Sequence, residues 1–349
     1  MISIIIPAFN SEKTIEKTIQ SILAQKTKEK IELIIVDDCS TDNTIKEINL
    51  CKQRFSKTRD KSLTKNLEVI LIQQKKNSGP AVARNLGAKK AKGEIILFTD
   101  SDCVPEKNWL TEMTKPFQNS EIVGVQGAYK TKQKSITARF VQMEIEDRYD
   151  LMKKKDFIDF IGSYSAVYRK KEFLEFNGFN ESFPIASGED PELSFRMEKK
   201  GLKLVFNENA VVYHSHPESF LKYLKIKFWR GYWRILMYKH HKDKIIKDSY
   251  TPQTLKFQIA IIYALIIELL LKSINLFLQF NPIINSSMNS ILDLIILISF
   301  LIYLITLISF TFKTLKKDFL IGVISPLFIF FRTFSFCIGL IAGIIKVKK

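Results

Sequence analysis

Hydrophobic residues in the first hundred positions fall in short unbroken runs, each followed by a polar turn and then a stretch with helical spacing. The runs at 3–8 (SIIIPA), 32–37 (ELIIVD), 67–73 (LEVILIQ) and 94–100 (EIILFTD) predict strands, and 11–25, 43–55 and 80–92 predict helices. Continuous apolar strands alternating with helices imply a parallel sheet covered on both faces, the arrangement of a soluble α/β domain. After about residue 256 the pattern changes to long stretches of Ile, Leu and Phe with few charges. Residues 257–280 and 291–312 are each long enough to cross a bilayer, which needs roughly 20 residues. The apolar stretch 319–345, interrupted by Pro326 and Arg332, is long for one crossing and short for two, so it reads as a third span or a re-entrant or interfacial helix. Glu268 and Lys272, spaced i to i+4 in the first span, are placed to pair.

Parallel sheets of this kind bind ligands beyond the carboxyl ends of their strands, so the polar residues that end each run share one rim. That rim holds Asn10, then Asp37 and Asp38, then Asp100 and Asp102. Each alone is compatible with a helix cap or an Asx turn. Several carboxylates on one edge repel one another unless a cation or a hydrogen-bonding ligand sits among them. Paired aspartates offer hard oxygens suited to Mg²⁺ or Mn²⁺, which in turn holds a diphosphate. Close by, Gly79 suits a tight turn, Pro80 the first helical turn and Arg84 an anion contact, although a plain loop with a solvated arginine fits equally well.

Charge sharpens this picture. The 349 residues carry 53 Lys and Arg against 36 Asp and Glu, a net charge of +17, and the basic residues crowd into 222–247. A leaflet of anionic lipid is the simplest partner for that crowding, and 221–256 reads as a basic, amphipathic juxtamembrane segment. No basic run is interleaved with aromatics in an RNA-binding pattern, so nucleic acid is not an expected partner. The opening MISIIIPAFN has no basic leader and an apolar run of about five residues, so it reads as a first strand rather than a signal peptide. Cys39, Cys51, Cys103 and Cys337 show neither paired nor zinc-type spacing, which fits a reducing compartment.

The succession SIIIPAFN, IVDDCSTDNT, SGPAVARNLGAKKAKGEIILFTDSDC and SGEDPELSFRMEKKGLKLVF, over residues 1 to about 215, resembles the family 2 glycosyltransferases. The resemblance implies a GT-A fold, Rossmann-like with a mostly parallel sheet and helices on both faces, over 1–220, followed by an α-helical membrane region over 257–349. It implies a nucleotide-diphosphate sugar as donor and a divalent metal, Mg²⁺ or Mn²⁺, as cofactor. By similarity Pro7, Ala8 and Asn10 line the base pocket, Asp38 contacts the base with Asp37 supporting its loop, Arg84 contacts the nucleotide, Asp100 the ribose and Asp102 the metal. Asp190 looks like the catalytic base, with Glu189 as its neighbour. A carboxylate there would take the proton of the acceptor hydroxyl. The same residues also suit a helix start, with acids in the first turn, Pro191 near its beginning and Gly201 after its end. His214 and His216 alternate on a strand-like run, and His216 is a candidate extra metal ligand, a backbone-bonded histidine being the other reading.

Processive relatives carry a Gln-x-x-Arg-Trp motif, whereas here 225–241 reads KIKFWRGYWRILMYKHH, which points to transfer of a single sugar. With the catalytic domain on the cytosolic face of the plasma membrane, the expected orientation, the uncharged 281–290 and the lysines at 313, 316 and 317 fall as that orientation predicts. A complete third crossing would put the basic KVKK end outside, against the positive-inside rule. The expectation is an inverting, metal-dependent enzyme acting on a membrane-associated, lipid-linked acceptor. The competing readings are a polyprenyl-phosphate glycosyltransferase, whose anionic acceptor needs no base, a nucleotidyltransferase, and an inactive membrane scaffold.

Overall fold

A computed structural model of the chain describes residues 1–27, 29–57, 67–183, 188–246, 248–278 and 282–346. They form two compact units, one of Met1–Lys134, Glu144–His216 and His240–Tyr250, the other of Ser135–Met143, Pro217–Lys239 and Thr251–Lys349.

The first unit is built on a sheet of eight strands among the described residues. They are β1 (Ile2–Ala8), β2 (Ile31–Asp37), β3 (Leu67–Gln73), β4 (Ile95–Thr99), β5 (Cys103–Pro105), β6 (Ile122–Lys130), β7 (Ser165–Arg169) and β8 (Lys203–His214). Their order across the sheet is β3-β2-β1-β4-β7-β6-β8-β5. The four expected strands form the parallel half. β7 runs antiparallel to both β4 and β6, β5 runs antiparallel to β8, and β6 pairs parallel with β8. The sheet is therefore mixed, with four of its seven pairings parallel and the antiparallel ones all involving β5 or β7.

Alternation along each strand feeds two cores. Ile4 and Ile6 of β1 and Leu33 and Ile35 of β2 face one side, with Ile15 and Ile19 of α1 (Ile15–Leu23), Ile48 of α2 (Thr44–Ser56), and Trp109 and Leu110 of α4 (Trp109–Thr114). Ile5, Ile34 and Val36 face the other side, with Ala81, Ala83 and Ala88 of α3 (Pro80–Lys90), Phe173 of α6 (Lys170–Glu175), and Leu193 and Met197 of α7 (Glu189–Glu198). A helix α5 (Ile136–Met152) connects β6 to the segment before β7.

The second unit contains α8 (Phe220–His240), α9 (Gln253–Leu278), α10 (Pro282–Lys317) and α11 (Phe319–Lys346). Three helices, Gln253–Phe277, Ser287–Lys317 and Phe319–Lys346, are long and apolar enough to cross a membrane. The third runs unbroken through Pro326. Proline removes the N–H that would reach the carbonyl four residues back, and Ser325 Oγ donates to that carbonyl, Gly322 O, at 2.9 Å, so the orphaned acceptor is satisfied locally. Glu268 and Lys272 do not pair with each other. Each reaches α10 instead, Lys272 to Asp293 and Glu268 accepting from Ser299 Oγ at 2.9 Å. α8 lies backbone against backbone with α11, where Gly339 and Gly343 make a small-residue stripe. A Cβ added at Gly343 would stand 2.5 Å from Tyr232 O.

One irregularity of the sheet shapes the rim. β6 and β8 shift register between Gln126, opposite Phe206, and Ala128, opposite Val211. Gly127 sits at that shift, and a Cβ there would meet Ser165 Oγ and come within 2.5 Å of Ala210 O. Gly127→Ala is expected to lower stability by about 1–3 kcal/mol, measured by thermal unfolding of the detergent-solubilised chain.

Candidate active site

The carboxyl ends of β1, β2 and β4 open onto one cleft of about 440 Å³, lined by Pro7, Ala8, Phe9, Asp38, Asn77, Gly79, Pro80, Arg84, Asp100, Ser101, Asp102 and His214. Six of the sequence-predicted residues therefore converge: Pro7, Ala8, Asp38, Arg84, Asp100 and Asp102. Asn10, Glu189, Asp190 and His216 do not line this cleft.

Asp38 is held on both oxygens. Its Oδ1 accepts from Gln74 Nε2 and Ser78 N, and its Oδ2 from Gly79 N, all at 2.8 Å. Burial pushes its pKa up, and the two backbone N–H bonds oppose that rise. Asp38 thus shapes the turn that starts α3, whose Gly79 has φ 90 and so needs no Cβ. Asp37 is buried beneath it, with Oδ2 accepting from Ser40 N at 3.2 Å. Asn10 adopts φ 49, a region that asparagine tolerates, and its Oδ1 accepts from Thr41 N at 2.9 Å and Thr41 Oγ1 at 3.2 Å. It ties the β1 loop to the β2 loop instead of facing the cleft.

The acidic turn is equally fixed. Cys103 N donates to Asp100 O at 3.1 Å, Ser101 O accepts from Thr18 Oγ1 at 3.0 Å, and the hydroxyls of Ser11 and Ser101 stand 2.7 Å apart. Asp100 Oδ1 is occupied by Arg84 Nη2 at 2.8 Å. Asp102 Oδ2 lies 3.3 Å from His214 Nε2. Burial works to raise the Asp102 pKa, but the hydrogen bond and charge of His214 outweigh it and hold the carboxyl below its usual range. Ligand atoms of Asp100, Asp102 and Cys103 lie within 4.8 Å of one another. Burial pushes the Cys103 thiol well above its ordinary pKa, so it supplies no thiolate. Two carboxylates with an imidazole beside them suit a hard or borderline dication such as Mg²⁺ or Mn²⁺ rather than a sulfur-loving one.

The histidine facing Asp102 is His214, not His216. His216 is buried two residues further on, where its backbone N–H donates to Gln133 Oε1 at 2.6 Å, its backbone carbonyl accepts from Gln133 Nε2 at 3.1 Å, and its ring Nδ1 stands 3.4 Å from His214 Nδ1. β8 ends at His214, still paired with Cys103 of β5, so strand alternation does not carry on to His216. Tyr129 was not anticipated by the sequence reading. Its ring stacks on Tyr164 at 3.4 Å and lies 4.7 Å from that of His214. The signal was the apolar 122–130 run, whose last residues enter the rim.

Behind the cleft, Arg84 is 2% exposed and spans two carboxylates, Asp100 and Glu189, the latter through Nη1 at 3.0 Å and itself 1% exposed. Burial disfavours its charge, yet Asp100, Asp190 and Glu189 together lift its pKa above the ordinary value. Next to Glu189, Asp190 accepts from Ser163 Oγ at 3.3 Å through Oδ2, while Oδ1 is closed off from solvent with no hydrogen-bond partner among the described residues. Burial, reinforced by the charge of Glu189, pushes the Asp190 pKa up to about 8.

Residues 3–174 match the family model described as Glycosyl transferase family 2. They are a family 2 glycosyltransferase domain. Within it stand Asp38, Arg84, Asp100 and Asp102, whereas Glu189, Asp190 and His214 follow the matched residues. The chain is 38% identical over 111 residues to the poly(ribitol-phosphate) beta-N-acetylglucosaminyltransferase TarS of Staphylococcus aureus, covering 32% of this chain and 18% of that one. It is 36% identical over 129 residues to an uncharacterized glycosyltransferase of Haemophilus influenzae, covering 37% and 47% respectively. The chain thus spans less than half the length of these two relatives. A mannosyltransferase from Pyrobaculum calidifontis, solved in complex with GDP-Man and Mn²⁺, shares its fold, with TM-score 0.58 and 17% identity over 99% of this chain and 86% of that one.

Removing Arg84 would leave two carboxylates, one of them fully buried, without their counter-charge. Arg84→Ala is expected to cost this glycosyltransferase about 3–5 kcal/mol, read from chemical denaturation, with part of the loss restored by adding Glu189→Gln.

Proposed function

We propose that the chain is an inverting, metal-dependent glycosyltransferase that moves a single sugar from a nucleotide-diphosphate sugar to the hydroxyl of a membrane-associated, lipid-linked acceptor. The observation that carries the reading is the convergence of Asp38, Asp100 and Asp102 with Arg84 on one cleft, with a raised-pKa carboxyl, Asp190, next to Arg84's partner Glu189. In this reading Pro7, Ala8 and the turn held by Asp38 accommodate the base, and Asp100, fixed by Arg84, meets the ribose. Asp102 holds the cation, with Asp100 and His214 as neighbouring donors. A bound Mg²⁺ or Mn²⁺ supplies electrostatic relief for the charge on the leaving diphosphate. The mannosyltransferase of the same fold, solved with GDP-Man and Mn²⁺, supports that chemistry.

Asp190 takes the proton of the acceptor hydroxyl as its oxygen attacks the anomeric carbon. A carboxylate raised toward neutrality is a stronger base than a solvated one. Glu189 remains paired with Arg84 and keeps its neighbour's pKa high. An acceptor that is already a phosphate needs no base, so the buried, raised carboxyl favours a hydroxyl acceptor over a polyprenyl phosphate.

The catalytic domain, residues 1–220 completed by the returning segment His240–Tyr250, sits on the cytosolic face of the plasma membrane in this reading. The rest of 221–256 forms the juxtamembrane segment and 257–349 the membrane region. Three helices apolar enough to cross, with lysines at 313, 316 and 317 near the C-terminal end of the second, support that orientation.

Incubation of membranes carrying the chain with UDP-glucose, UDP-GlcNAc and GDP-mannose, Mn²⁺ and lipid extract is expected to release nucleoside diphosphate and glycosylate a lipid. Release of pyrophosphate would instead indicate nucleotidyl transfer. Chelation of divalent ions, or Asp102→Ala, should abolish turnover. Asp190→Asn should lower kcat by about 10²–10⁴-fold. Because Asp190 must be ionised to act, kcat/KM should rise with pH and level off above about 8.

A further inference from the structure

The segment His240–Tyr250 joins two long helices of the second unit, yet it belongs to the first unit. Its contacts converge on Asp159 and on one face of α7. Asp159 Oδ2 accepts from Lys244 Nζ at 2.7 Å. Its Oδ1 accepts from Ser249 N at 2.7 Å and Ser249 Oγ at 2.5 Å, and its own N–H donates back to Ser249 Oγ at 3.0 Å. Lys244 Nζ also reaches Glu198 Oε2 at 3.0 Å and lies 5.1 Å from the centre of the Phe195 ring. His241 Nε2 stands 3.6 Å from Glu192 Oε1, with its ring edge-on to Phe195. Glu192, Phe195 and Glu198 recur at every third position and share a face of α7. Tyr250 stacks flat on Phe160 at 3.7 Å, with the Arg148 guanidinium 4.8 Å from its ring.

These contacts lead to the base in two short steps. Alternate residues 159, 161 and 163 are each gripped. Asp159 is held by the strap, Ile161 N donates to Ser194 Oγ at 3.0 Å, and Ser163 Oγ donates to Asp190 Oδ2 at 3.3 Å. Ser194 Oγ in turn donates to Asp190 O at 2.9 Å. The Asp190 carboxylate makes one long hydrogen bond among the described residues, so its orientation is borrowed from the placement of residues 159–163 and of α7. We infer that residues 241–250 form a strap whose Lys244 and Ser249 are positioning residues for Asp190, locking the 159–163 segment against the helix that carries the base. The inference rests on Asp190 being the base. A displacement of about 1 Å at a reacting group costs on the order of 10²-fold in rate, so a strap that acts only by position still matters to turnover.

The test uses the full chain in detergent, with Ser249→Ala and Lys244→Met as disrupting variants and Ser249→Thr and Lys244→Arg as conservative ones. Hydrogen–deuterium exchange should quicken at 159–163 and 189–194 in the first pair while β1 to β4 keep their protection. With the donor that turns over in the panel above, kcat should fall about 10- to 100-fold at a KM within about twofold of the parent. The conservative pair should recover most of the rate. Unchanged exchange at those two segments, or exchange rising equally across β1 to β4, would overturn the strap. So would an unchanged kcat in both disrupting variants while Asp190→Asn is inactive. If Asp190→Asn turns over normally, the base assignment fails by itself, and the exchange data still decide whether the strap orders this region.

Discussion

The pairing of one buried guanidinium with carboxylates from two distant parts of the chain underlies the architecture of this site. Arg84 comes from the helix after β3, Asp100 from the turn after β4 and Glu189 from the start of α7. An unpaired cation in that position would carry a desolvation penalty of several kcal/mol, and so would the buried Glu189 without it. The three elements are therefore bound to adopt one relative placement. Asp102, two residues beyond Asp100, inherits its place on the cleft from it, and Asp190, one residue beyond Glu189, inherits its place behind the cleft. The Asp190 pKa is raised chiefly by burial and next by the charge of Glu189, and the Arg84 charge opposes that rise without cancelling it.

The strongly periodic half of the chain was legible from sequence because burial on both faces demands long β-branched runs, and those runs became β1 to β4 at nearly the expected positions. The polar residues after them did gather on one rim, since strand direction alone places them there. The remaining strands were not legible. β6 carries three residues without a large side chain, at 124, 127 and 128, and β8 is interrupted by Asn207, Glu208 and Asn209 where its register slips against β6. Antiparallel pairing with β7 is also a long-range choice that no local pattern announces. Asn10 shows the limit in another way. Its position on the rim was readable, but the left-handed backbone that turns its amide toward Thr41 was not.

The histidines make the same point at finer grain. A His-x-His pattern reads as two ligands on one side only while the strand continues. Here the strand stops at the first of them, and a glutamine at 133 captures the backbone of the second. In the apolar helices, charges at 268 and 272 met partners on a neighbouring helix rather than each other, because in a low-dielectric setting the nearest polar group wins whatever its distance in sequence.

The catalytic unit is threaded discontinuously, with eleven residues returning to it after the chain has already departed through α8. A head built this way is not a cassette. A genetic crossover between two homologues near residue 217 would join one parent's α7 to the other parent's 240–250 segment, and a mismatch at Asp159 or Glu198 would then loosen the contacts around α7. Inheritance of that packing is therefore linked to a stretch of polypeptide that, by its place between two long helices of the second unit, looks like mere connection.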